Sequence, residues 1–374
     1  MRTEKTTSIE IKRANRRNVL RYILKNETTS RQDIAQALSL SMPTTLQNVN
    51  DLQEMGLVRE AGQFESTGGR KASMITSVAD AVLSVGIDIT RNHLGLVIVT
   101  LAGEIHAHKR IPLVYENNDA YYGELAAQVQ LFVNECRINK DRIIGAGISV
   151  PGILNEDNTI LADSHALGVA NVPCSRISDA LAWKTTFIND ANAAGLAELR
   201  MMEQSSTLVY LSLSNSVGGA VFIDGRLYNG KNQRAGEFGH MRIVPEGKQC
   251  YCGQAGCVDA YCSALVLTQE GEKLEQFFEL LHAGDPVRQA VFDDYMQKLA
   301  YAAINLRMSF DCDIVLGGYV GGFLEQWLPA LCEKVTRLNP FQPDCTYLHA
   351  CRYKHEASGF GAAIQPIDHL INTL

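Results

Sequence analysis

VLSVGIDITRNHLGLVIVTLAGEIHAHKRI, residues 82–111, reads as three consecutive strands, with turn residues at Arg91 and Asn92 and again at Ala102 and Gly103. About 120 residues later STLVYLSLSNSVGGAVFIDGRLYNG, residues 206–230, repeats the same strand–hairpin opening. A helical stretch near 121–136 and a buried strand, IIGAGISV at 143–150, separate the two. TTFINDANAAGLAELRMM at 185–202 then switches from strand to helix at Asn189 and Asp190. Further helices close the chain around another buried strand, DIVLGG at 313–318. A strand-rich opening that recurs once implies two α/β lobes with a cleft between them, and such a cleft is the first place to expect a ligand.

Composition fits that plan. The 374 residues are 46% hydrophobic and 20% charged, enough for two or three packed cores. No apolar run reaches the roughly 18 residues of a membrane span. The opening MRTEKTTSIEIKRANRR is basic but lacks the apolar stretch of a secretory signal, so a cytoplasmic protein with reduced thiols is expected. Seven of the ten cysteines stand alone in mostly apolar surroundings and read as small buried hydrophobes. The other three cluster. His240, Cys250, Cys252 and Cys257 form H-x9-C-x-C-x4-C, three thiolates and one imidazole suited to tetrahedral zinc. Gly253 and Gly256 allow the backbone to turn around an ion. With four protein ligands the site at 240–257 is expected to be structural. A redox pair and free thiols are the competing readings.

The first 80 residues have a different grammar. They carry twelve Lys/Arg against nine Asp/Glu in a chain of net charge −7, with seven basic residues between Lys12 and Arg31. NVLRYILK at 18–25 sets Val19, Leu20, Ile23 and Leu24 on one helical stripe. Ser30 caps a second helix with Ile34, Ala35 and Leu38 inside, and Ser41 caps a third, with Pro43 in its first turn and Gly56 at its end. The third helix is expected to bury Leu46, Val49 and Leu52 and to show Thr44, Thr45, Gln47, Asn48 and Asp51. LVREAGQFESTGGRKASMIT, 57–76, alternates as a hairpin with a basic tip. The order is that of a winged helix-turn-helix, an α+β module for DNA. Thr44, Thr45, Gln47 and Asn48 are the candidates for base edges, and Arg16, Arg17, Arg31, Arg70 and Lys71 for phosphates. A helical protein-docking module is the alternative. The expected division is 1–80 for this module and 81–374 for the two lobes.

The succession of Pro151-Gly152, NDANAAGLAE at 189–198, AGEFGH at 235–240, CYCGQAGC at 250–257 and Gly317-Gly318 resembles the ROK family of sugar kinases and sugar-responsive repressors. The winged module ahead of it matches the repressor branch. The resemblance implies the two-lobed actin-like/hexokinase-like ATPase fold. It also implies a sugar site made by Asn189, Asp190, Glu237, His240 and Asp259, the last standing where the family usually has Glu. In a kinase of the family Asp190 would be the base that deprotonates the sugar hydroxyl. The glycine-rich phosphate turns are altered, however. Asp88 is followed by Ile89, Thr90 and Arg91, Ser214-Asn215-Ser216 precede Gly218, and Tyr319 follows Gly318. ATP binding and catalysis are therefore not expected, and Asp190 is assigned to holding the sugar.

The expected protein is a repressor, a homodimer or homotetramer on palindromic operator DNA, whose affinity changes when a sugar or sugar phosphate enters the cleft. Zinc on one imidazole nitrogen of His240 would leave the other for the sugar. A hexose kinase using ATP, and a regulator released by a protein partner, are the rival readings.

Overall fold

The computed structural model describes residues 8–63, 73–202, 207–269 and 271–374. The N-terminal module comprises α1 (Ser8–Lys25), α2 (Arg31–Ala37), α3 (Met42–Glu54) and the antiparallel pair β1 (Val58–Gln63) and β2 (Ser73–Ser77). Ser30 and Asp33 close a capping box at the start of α2, and Ser41 accepts from Thr44 N–H at the start of α3. The basic tip with Arg70 and Lys71 lies outside the described residues.

The rotation of α3 differs from the sequence expectation. Val49 and Leu52 are buried, but Leu46 is 45% exposed, while Thr45 and Asn48 are 0% and 2% exposed. At 100° per residue, Val49 and Leu52 define an inner face on which Thr45 falls near the centre, and Leu46 lies about a quarter turn away. The inward donors are satisfied along the helix, while Asn48 Oδ1 has no hydrogen-bond partner. Thr45 Oγ1 donates to Ser41 C=O at 3.1 Å, and Asn48 Nδ2 donates to Thr44 C=O at 2.8 Å.

The first lobe runs β3 (Leu83–Ile89), β4 (His93–Thr100), β5 (Ile105–Pro112), α4 (Asp119–Glu135) and β6 (Ile143–Val150). A flap of β7 (Ile153–Leu154), β8 (Ile160–Ser164) and β9 (Val169–Pro173) follows, then the short α5 (Ser175–Ser178) and β10 (Thr185–Asn189). The helix α6 (Asp190–Met201) leads to the second lobe, β11 (Leu208–Leu213), β12 (Val217–Ile223) and β13 (Arg226–Leu227). Next come α7 (Asp259–Cys262), α8 (Leu274–His282), α9 (Pro286–Phe310), β14 (Asp313–Gly317), α10 (Gly318–Gly321), α11 (Leu328–Leu338), β15 (Leu348–Ala350) and α12 (Ala357–Thr373).

The sheet orders are β5-β4-β3-β6-β10 and β13-β12-β11-β14-β15. Each is an antiparallel hairpin series continued by two parallel strands, so the recurrence in the sequence is a recurrence of topology. The helices α6 and α12 lie between the two sheets, so β3 and β11 are covered on both faces and read as nearly continuous apolar runs. The packing is close enough to require glycine. A Cβ on Gly147 of β6 would come within 1.8 Å of Ala362 C=O, and one on Gly361 of α12 within 1.7 Å of Ala193 C=O.

The winged module shares its core with this central layer. Val19, Leu20 and Ile23 of α1 form one continuous cluster with Val97, Val99, Phe360, Ile364, Ile367 and Ile371. Arg21 donates to Asn372 Oδ1 at 3.0 Å across the seam. Helix α1 is therefore packed directly on α12.

Candidate functional site

The cleft between the lobes opens where β10 becomes α6. Asn189 stands at the end of the strand, and its side-chain oxygen caps the helix by accepting from Asn192 N–H at 3.0 Å. Its Nδ2 donates to Gly152 C=O at 2.9 Å and to Asp190 Oδ1 at 3.0 Å. Asp190 Oδ1 also accepts from Ala191 N–H at 2.9 Å. Burial pushes the Asp190 carboxyl up to about 6, and Glu237 nearby adds to the rise. Glu237 is raised by burial too.

The cavity here is about 220 Å³, and Asn189, Asp190, Glu237 and His240 all line it, with His165 and Tyr251 at its edge. Asp259 does not line it. It is 7% exposed, and its Oδ2 accepts from Val217 N–H at 2.7 Å behind the cleft wall. With one methylene fewer than Glu, its carboxylate stops at that backbone amide. Of the five expected residues, the structure thus places four on the wall and one behind it.

His240, Cys250, Cys252 and Cys257 place one ligand atom each within 4.8 Å of the others. Cys250 Sγ lies 3.9 Å from His240 Nδ1, and Cys252 Sγ lies 3.8 Å from Cys257 Sγ. Zinc–sulfur bonds of about 2.3 Å in a tetrahedron give edges of about 3.8 Å, so the donor set fits a metal ion. Gly253 and Gly256 both have φ of 83°, and a Cβ on Gly256 would come within 1.8 Å of Val244 C=O. His240 turns Nδ1 to the sulfurs. Its Nε2 lies 3.3 Å from Tyr251 Oη and 3.9 Å from Glu237 Oε2.

On the far side of Asp190 stands Asp88, whose carboxyl burial pushes up to about 7, with Asp190 adding and the Ser149 hydroxyl, donating at 2.8 Å, opposing. Of Arg91, Asn215 and Tyr319, which stand in the altered glycine turns, only Tyr319 lines the space beside Asp88. Its ring lies under the Arg110 guanidinium, 5.6 Å from the centroid. Arg91 turns away and donates to Leu167 C=O at 2.8 Å, and Asn215 is not among the residues lining this side. Arg110, which sequence reasoning passed over, donates to Nδ1 of His355 at 3.0 Å and lies 3.4 Å from Nδ1 of His93. Burial, with Arg110 adding, holds both imidazoles below their ordinary range. Only about 30 Å³ remains between these groups.

On the winged module, Gln47 is exposed, its Nε2 donating to Asp51 Oδ1 at 2.6 Å, and Thr44 is half-buried with its hydroxyl 2.8 Å from that of Ser41. Thr45 and Asn48 point inward and present nothing to a base edge. Met42 and Asn50, not singled out from the sequence, and Leu46, expected inside, are exposed on the outer face instead. Two of the expected phosphate cations are engaged within the chain. Arg16 pairs with Asp51 at 2.5 Å and Arg31 with Glu60 at 2.7 Å. Arg17 is half-buried in α1.

Among the described residues, no helix is long and apolar enough to cross a membrane. The ROK family profile matches residues 84–367, and a winged helix-turn-helix DNA-binding profile matches residues 12–59. The xylose repressor of Bacillus subtilis is 28% identical over 268 residues, covering 71% of this chain and 70% of its own. An N-acetylmannosamine kinase of Escherichia coli is 29% identical over 294 residues, covering 75% of this chain and 97% of its own. The crystal structure of a ROK family transcriptional regulator, a homolog of the E. coli MLC protein, superposes with a TM-score of 0.77 at 22% identity, covering 97% of each chain.

Proposed function

This chain belongs to the ROK family, and we propose that within it the chain acts as a sugar-responsive transcriptional repressor. The match to the kinase takes nearly all of that enzyme and leaves about a quarter of this chain, whereas the winged module supplies what a DNA reader needs. The observation that carries the reading is the course of α6. It begins at Asp190 in the cleft and ends near Arg200, which donates to Asp368 of α12 at 2.9 Å, and α12 shares its core with α1 of the winged module. One helix thus spans the distance from the ligand to the base of the DNA-binding module.

In this reading a monosaccharide or its phosphate enters the cleft. Asp190 and Glu237 accept from its hydroxyls, and Asn189 both holds Asp190 and caps α6. The narrow space left between Tyr319, Arg110 and Asp88 supports a role for Asp190 in holding the sugar rather than in abstracting its proton. Zinc held by His240, Cys250, Cys252 and Cys257 supplies a cross-link rather than an open coordination position, fixing the imidazole beside Glu237. Two copies of the chain would present two winged modules to a palindromic operator, as a homodimer or homotetramer. The ligand acts by favouring one of two arrangements of α6 and α12, and so one separation of those modules.

The test has two steps. Thermal unfolding is followed with D-xylose, D-glucose, N-acetylmannosamine and their phosphates. A true ligand at about a hundredfold excess over its Kd raises the midpoint by about 3–8 °C. The best ligand is then titrated into the complex with duplex DNA selected from a random pool. If no sugar in the panel shifts the midpoint or the DNA affinity the reading fails, as it does if a lysate-derived protein releases the DNA when no sugar does.

A further inference from the structure

Tyr251 sits between two of the metal-site cysteines, in the second lobe, yet its ring stacks on His165 of the first. The centroids are 4.0 Å apart and the planes 6° from parallel. Both ends of this stack are anchored. On one side Tyr251 is flanked by Cys250 and Cys252, and its hydroxyl lies 3.3 Å from His240 Nε2. On the other, the turn carrying His165 is tied to its own lobe. Ser164 Oγ donates to Pro151 C=O at 2.5 Å and accepts from Leu167 N–H at 3.2 Å, and Arg91 donates to Leu167 C=O at 2.8 Å. Both rings line the cleft, and Tyr251 is nonetheless 46% exposed, so neither is held there by burial in a core.

We infer that Tyr251 and His165 form an aromatic clasp between the lobes that closes the mouth of the cleft over a bound monosaccharide and sets how long it stays. The inference rests on the sugar-binding reading for its ligand but not for the clasp itself, which joins the lobes in the free chain. Two groups each fixed to a separate rigid body can hold those bodies together only while they touch. Parting the rings admits the sugar, and restacking them keeps it in. Tyr251 and His165 are in this sense positioning residues. A stacked aromatic pair adds about 0.5–1.5 kcal/mol beyond its buried area, or about a two- to tenfold change in the opening equilibrium.

The experiment uses the full chain and the variants Tyr251→Ala, Tyr251→Phe, His165→Ala and the double alanine variant. Bound metal is measured in each. Amide hydrogen exchange of residues 160–170, with no sugar present, is expected to quicken about two- to tenfold in both alanine variants and to stay near the parent rate in Tyr251→Phe. The double variant should be no faster than the faster single one, since either change opens the clasp. Unchanged exchange in both single variants overturns the inference, whether or not any sugar binds. Should Tyr251→Ala lose its metal, His165→Ala, remote in sequence from the metal loop, still decides. With the sugar that best stabilises the parent, the alanine variants should release it about two- to tenfold faster. Equal release rates overturn the role in retention. A parent chain that binds no sugar refutes the sugar reading, and the exchange result then judges the clasp alone.

Discussion

Val49 and Leu52 fix the rotation of α3, and that rotation divides its polar residues into two kinds. Asn48 is buried and bonded to Thr44 C=O, so Asn48→Ala should cost about 1–3 kcal/mol of stability, read as a lower urea midpoint. Gln47→Ala and Asn50→Ala, on the outer face, should leave that midpoint nearly unchanged and weaken specific DNA binding by about 1–3 kcal/mol each. The reverse pattern would mean that the helix meets DNA with its other face. The paired carboxyls of the cleft give a second residue-scale prediction. In the folded chain Asp88 and Asp190 hold protons up to about 7 and about 6, while the unfolded chain releases them near 3.8. The folded state binds more protons, so this part of the stability is complete below pH 4 and is lost as the pH rises through 6 and 7. Asp88→Asn removes the Asp88 share. Its unfolding free energy should fall less between pH 5 and pH 8 than that of the parent, and an equal or steeper fall would refute the assignment.

At the scale of elements, the cysteine loop that could hold a metal and the cleft share His240 and differ in which nitrogen they use. The loop turns on two left-handed glycines and is closed by short β-bridges, between Arg242 and Cys257 and between Gln249 and Ala255, and by backbone bonds such as Gly256 N–H to Lys248 C=O and Cys250 N–H to Gln254 C=O, both at 2.8 Å. Removing a metal held there with a chelator should loosen the loop before the lobe around it. Sugar affinity is expected to drop about tenfold, by analogy with the loss of outer-shell order at metal sites, while far-UV circular dichroism changes little. Unaltered affinity in a metal-free, folded chain would show that the imidazole is positioned without the ion. The opposite end of the cleft belongs to β5 and α10. Arg110 and Tyr319 meet there because edge strand β5 and the turn after β14 face each other across the interlobe gap.

Over the whole molecule, α6 and α12 form a layer that touches both sheets and, through α12, the winged module. Glu198 of α6 is buried and accepts from Arg352 N–H at 2.9 Å and Tyr353 N–H at 3.0 Å, just ahead of α12. The Arg200–Asp368 pair is the second tie. Arg200→Ala and Asp368→Asn should leave sugar affinity close to that of the parent and reduce the effect of sugar on DNA affinity by about 0.5–2 kcal/mol. A variant whose DNA affinity responds fully to sugar would show that the signal takes another route.

The sequence by itself determined the elements and their order, because periodicity, caps and glycine turns are local. Ser30, Ser41, the strand-to-helix switch at Asn189 and the repeated strand–hairpin openings stand where they were expected. The sulfur cluster was legible for the same reason, its four donors lying within 18 residues. Tertiary structure decided what depends on rotation and reach. The outward turn of Leu46, the withdrawal of Asp259 to Val217 N–H and the swing of Arg91 to the flap were each set by neighbours distant in the chain or by a single bond length. So were the meetings of Arg110 with Tyr319 and of His165 with Tyr251, residues 209 and 86 positions apart, whose contact no local pattern encodes.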